Sequence, residues 1–158
     1  MMFENLRTEM TEVMGPLVDL PTPQDCADYA VIRAIIPAGV VVPLHSHPDR
    51  ETFVVMAGRI RAYLNVDWQY YEVGDVIEID SNVKHAIHND GDTDAAVVLV
   101  TTARMTQFFN EVGARGKQAR PTPERIDHFF ERSAAYGYWN GTPEDQAAIG
   151  LSLAAMHA

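Results

Sequence analysis

The sequence predicts an all-β domain, an antiparallel sandwich or barrel, with a helical extension at its C-terminal side. Three observations carry this expectation. From Tyr29 to about Thr102, short β-rich runs follow one another with no helical segment between them. Turn-forming residues separate these runs, and after Ala103 the apolar period changes to that of a helix.

The first 27 residues read as a short helical or irregular lead that ends at the breaker cluster LPTPQD. The runs YAVIRAII, TFVVMAG, RIRAYLN, WQYYEV, DVIEI, HAIHN and AAVVLVTT are rich in β-branched and aromatic residues, with PAG, NVD, VGD and NDGDTD as turns between them. A short helix is expected near MTQFFNEVG. TPERIDHFFERSAAYG then has Thr122 as N-cap, Pro123 in the first helical position and Glu124 in the first turn. Ile126, Phe129, Phe130 and Ala134 share one face of that helix, and Gly137 stops it. TPEDQAAIGLSLAAMHA repeats the Thr-Pro-Glu start from Thr142 to Glu144 and predicts a further tail helix. The division expected is a β-domain with its lead over residues 1–103 and a helical extension over 104–158, packed on that domain or on a partner subunit.

A chain of 158 residues has room for one domain with a full core. Its net charge of -10 disfavours nucleic acid and anionic membranes as partners, because both demand a surface that attracts phosphate. The densest basic group, Arg115, Lys117 and Arg120, lies in a Gly-containing connector and reads as a solvated loop. A lone cysteine, Cys26, rules out an intrachain disulfide and fits a reducing compartment. The stretch MMFENLRTEMTEVM lacks the apolar core of a signal peptide, and no run approaches the roughly 18 apolar residues of a membrane span. A cytoplasmic protein is expected.

The stretch GVVVPLHSHPDRETFVVMAG carries the chemistry. Side chains alternate along a strand, so His45 and His47 point to one side with their backbones about 6.6 Å apart, near enough for both imidazoles to meet one ion. Pro48 predicts a bend before the next strand begins at Glu51, whose face continues through Phe53 and Val55. A carboxylate at the head of an apolar face needs a partner, and a metal supplies one. His85 shares a face with Ile87 and Asn89, whereas His88 has the opposite parity. His45, His47, Glu51 and His85 thus offer three nitrogens and one oxygen to a divalent transition metal: Fe, Mn, Co, Ni, Cu or Zn.

These residues fall into a known pattern. Gly39, His45, His47, Glu51 and Gly58 have the spacing of the first cupin motif, and Gly74, His85 and Asn89 that of the second, with Asp80 and Asn82 where that motif has Pro and Gly. Over roughly residues 28–102 the sequence resembles a cupin. The resemblance implies a jelly-roll barrel, or double-stranded β-helix, and a homodimer. It also implies a metal-dependent enzyme acting on a small molecule. The preferred reading is an oxygenase of the quercetin dioxygenase type, with an enol or phenol on two open cis positions of the ion. Glu51 would take the substrate proton, and Phe53, Val55 and Ile87 would keep the pocket dry. A metal-dependent isomerase, lyase or decarboxylase, or a ligand-binding cupin without turnover, stays open. Trp68, Tyr70 and Tyr71 read as core or interface, Arg59 and Arg61 as a surface face, and His128 and His157 as solvated.

Overall fold

The computed structural model describes residues 1–26 and 28–152. The strands are β1 (Thr11–Glu12), β2 (Leu17–Asp19), β3 (Ala30–Ile36), β4 (Val41–Ser46), β5 (Glu51–Ala57), β6 (Ile60–Leu64), β7 (Trp68–Tyr71), β8 (Val76–Ile79), β9 (His85–His88) and β10 (Ala95–Thr101). Helices α1 (Ala103–Val112) and α2 (Pro123–Tyr136) follow, then β11 (Trp139–Asn140) and α3 (Pro143–Ala148). One sheet has the order β1-β2-β3-β10-β5-β8 and the other β11-β4-β9-β6-β7, with antiparallel pairing. Two such sheets, interleaved in sequence and closed over a common core, form the double-stranded β-helix.

The core follows from strand alternation. Ile32, Ala34 and Ile36 of β3, Phe53 and Val55 of β5, and Val97 and Leu99 of β10 turn inward from the larger sheet. Ile60, Ala62 and Ile87 meet them from the other sheet. Gly58 makes the β5–β6 turn with φ of 72°, and a Cβ there would stand 2.8 Å from the Asp94 carbonyl.

Two expectations need correction. The lead forms a 3-10 turn at Glu4–Glu9 and then β1 and β2, which extend the larger sheet by pairing Leu17–Asp19 with Arg33–Ile35. Val18 is its buried anchor, and one inward residue in a three-residue strand leaves no periodic trace to read. The last predicted helix is short. It closes at Ala148, with Gly150 in the left-handed region at φ of 84°, and residues 153–158, including His157, lie outside the described residues.

The other helix ends are formed as their sequences predict. The Thr102 and Thr122 hydroxyls accept the backbone N–H groups of Met105 and Arg125, and Gly137 closes α2 with φ of 73°. Arg125 ties α2 to the lead. Its guanidinium donates to Glu12 Oε2 at 2.7 Å, to the Glu12 carbonyl at 3.1 Å and to the Ala119 carbonyl at 2.7 Å.

Candidate metal centre

Three strands and one loop deliver the predicted ligands. His45 sits near the end of β4, directly opposite His85 at the head of β9. The pairing of β4 with β9 is irregular between Val42 and His45, around Pro43, which has no N–H to give. His47 follows β4, and Glu51 opens β5. The His45 and His85 rings lie 4.2 Å apart between centroids, His47 and His85 5.1 Å, and His45 and His47 5.3 Å. One ligand atom from each histidine lies within 4.8 Å of the other two. Glu51 joins them, with Oε2 at 3.2 Å from His85 Nε2 and 3.6 Å from His47 Nε2.

The ring orientation is decided by the backbone. Nδ1 of His45 lies 2.6 Å from the Pro43 carbonyl, that of His47 2.8 Å from the Asp49 carbonyl, and that of His85 2.8 Å from the Val83 carbonyl. A carbonyl only accepts, so each Nδ1 must carry the proton and donate it. Each Nε2 is therefore left with a bare lone pair, the form that binds a metal. Burial keeps it so: desolvation, and then the neighbouring rings His85 and His47, hold the His45 pKa well below the ordinary imidazole value, and desolvation lowers that of His47.

The donor set fits a divalent transition cation. His47 Nε2 and His85 Nε2 are buried and have no hydrogen-bond partner among the described residues. Buried acceptors of this kind are seldom left idle, and an ion shared with Glu51 would engage both.

The surrounding loops hold the ligands in place. Asn82 takes the left-handed conformation at φ of 62° and donates its backbone N–H to the His47 carbonyl at 2.8 Å. The turn expected of Asp80 and Asn82 is thus formed. Asn89 is fully buried and donates its side-chain amide to the Ile36 and Thr93 carbonyls at 2.8 and 2.9 Å, tying the end of β3 to the turn before β10. His88 faces outward and accepts from Arg61. Arg61 stacks on Trp68 and Arg59 on Tyr70, so both arginines and both aromatics belong to the outer face.

A cavity of about 680 Å³ opens over the histidines. Phe53 and Ile87 line it beside Glu51. Val55, expected with them, does not line the cavity and is packed inside the core. Helices α1 and α2 roof the cavity on one side.

Residues 32–101 match the family described as Cupin domain. The same two-sheet barrel recurs in solved structures. An RmlC-like cupin from Shewanella frigidimarina NCIMB 400 aligns with a TM-score of 0.56 at 14% identity, covering 65% of this chain and 89% of that one. The barrel has the cupin fold. A Cupin 2 conserved barrel domain protein from Salinispora arenicola CNS-205 aligns at 0.53 and 19% identity, covering 63% and 87% of the two chains. The polyketide cyclase RemF from Streptomyces resistomycificus aligns at 0.55 and 13% identity, over 61% and 76%. No curated protein matches the chain. Identities this low speak for the fold alone.

Within the cupin barrel, the side chains that the sequence did not reveal are those that back the ligands. Asp49 is buried, and its carboxylate accepts from Thr102 Oγ1, the residue that also caps α1. Tyr138 packs 5.4 Å from His47 between ring centroids. Burial and the nearby Asp49 carboxylate push its phenol pKa up, so it stays protonated. The local signal was the αL glycine at Gly137, which ends α2 with the 2.9 Å bond from Tyr138 N–H to the Ser133 carbonyl.

Proposed function

We propose that this cupin is a metal-dependent oxygenase acting on an enol or phenol. The observation that supports it is the convergence of three Nε2 lone pairs beside Glu51 at the base of a cavity walled mainly by apolar side chains. His45, His47, Glu51 and His85 would hold the cation, which when bound supplies Lewis acidity that lowers the pKa of a hydroxyl and a place where dioxygen can react. Glu51, whose Oε2 stands beside the His47 and His85 rings, would take the hydroxyl proton. Phe53 and Ile87 exclude water and orient the ring of the substrate against the histidines. Tyr138 packs against the His47 ring.

The apolar wall favours a phenol or enol over a sugar-like or keto acid, which would leave its polar groups without partners there. Oxygen uptake with a flavonol or an acyclic enediol, measured on metal-loaded protein, tests the reading. Uptake that is present in wild type and lost in His45→Ala is the expected result. Uptake unchanged in that variant overturns it, and product formation without oxygen assigns the site to isomerase, lyase or decarboxylase chemistry.

A further inference from the structure

The residues that match the cupin family end at Thr101, and all of α1 and α2 lies beyond them. Yet these two helices send Met105, Phe108, Phe109, Ile126, Phe129 and Phe130 into the cavity wall. The aromatic rings there are already in mutual contact, with Phe108 5.7 Å from Phe129 and 4.9 Å from Tyr138 between centroids. Phe130 is 51% exposed, a large apolar side chain standing on the cavity wall with half its surface in water. A ring docked beside it would cover that surface.

The charges on the wall leave little for an ionic ligand to grasp. Away from the histidines and Glu51, the charged lining residues among those described are Glu12 and Arg125, and they close on each other at 2.7 Å. Gln146 spends its amide on Leu44 and Gly141. A volume of about 680 Å³ far exceeds what a cation and a three-carbon acid would fill and lies in the range of drug-sized ligands.

We infer that α1 and α2 form a specificity wall that selects a neutral ligand of at least two fused or linked aromatic rings, with a hydroxyl at the end facing His45. This rests on the metal-site reading only for the hydroxyl end; the ring-binding wall stands apart from it. Aromatic faces prefer offset or edge-on aromatic neighbours, and the wall presents several such rings; away from the histidines, the Tyr138 hydroxyl and Arg125 Nε are its buried polar atoms without a hydrogen-bond partner among the described residues.

Naphthalene, 2-naphthol and pyruvate serve as probes, titrated against the full chain with chelator or with Zn²⁺ and followed by fluorescence or calorimetry. Naphthalene should bind the chelated wild type, with affinity reduced at least fivefold in Phe130→Ser, whose parent side chain is too exposed to be needed for folding. Ile126→Trp, which fills the space with apolar atoms instead of emptying it, should weaken binding as strongly. Pyruvate should not bind the chelated protein. Zn²⁺ should favour 2-naphthol over naphthalene at least tenfold in wild type and not in His45→Ala. Loss of that preference alone would refute the metal reading and leave the wall intact. Absence of naphthalene binding, or equal binding in both wall variants, overturns the inference. So does a dimer that Phe130→Ser dissociates without changing naphthalene affinity, since the apolar face would then belong to a second copy of the chain.

Discussion

Gln146 satisfies both backbone polar groups of Leu44: its Oε1 accepts the Leu44 N–H at 2.8 Å, and its Nε2 donates to the Leu44 carbonyl at 3.0 Å. A side-chain amide here does the work of a neighbouring strand, on the residue just before His45. The Gly141 N–H reaches the same carbonyl at 2.9 Å, and Asn140 pairs with His45 itself. The segment from β11 to α3 therefore fixes the strand that carries the first ligand.

Gln146→Leu would leave the buried Leu44 N–H without its partner. We expect a stability loss of about 1–3 kcal/mol, the usual penalty for an unsatisfied buried polar group. Urea denaturation checks this, and a parallel Zn²⁺ titration should show weakened binding because β4 is no longer held in register.

Glu51→Gln keeps the shape of the side chain and removes its charge from beside His47 and His85. Metal affinity should fall roughly tenfold or more. Competition with a chromophoric chelator measures it, and thermal stabilisation by added Zn²⁺ should shrink in step.

Acid should destabilise the chelated protein. The half-buried His45 and the buried His47 have folded-state pKa values below their unfolded ones, so between the two the unfolded chain binds more protons than the folded chain. Stability is then full above an unfolded imidazole pKa of about 6.5 and declines as pH falls below it toward the folded values. His88 adds to the same slope, its pKa lowered by desolvation and then by Arg61. Denaturation midpoints measured between neutral and mildly acidic pH should show a shallower decline in His45→Ala than in wild type.

Asn82→Val places a β-branched residue at a φ of 62° and should cost about 1–3 kcal/mol, while Asn82→Gly should stay near wild type. The Asn82 N–H holds the His47 carbonyl, so the Val variant should also bind Zn²⁺ less tightly. Equal behaviour of the two variants in denaturation and metal titration would show that the left-handed turn does not support the site.

Much of the fold is legible because its strands are written in period two and punctuated by residues with one structural use. Gly39, Gly58 and Gly74 all have positive φ, and Asn82 does what a glycine would do in the same turn. The three histidines could be grouped because parity along β4 and β9 survives from sequence to structure. Other features depend on distant partners. The three-residue β2 exists because β3 offers it an edge, and Gln146 acquires its role only when α3 reaches Leu44, more than a hundred positions earlier in the chain. Val55 shows the limit of face assignment: parity puts it on the inner side, but not how far down the barrel the open space extends.

The three carbonyl contacts at Nδ1 carry a kinetic consequence. With every imidazole already turned and its tautomer chosen, an arriving cation meets a rigid claw and no ring has to rotate to grip it. Loading should then run at the pace of ion dehydration and entry, and the Nδ1 protons should stay hydrogen-bonded and protected from exchange with water in both the empty and the charged protein.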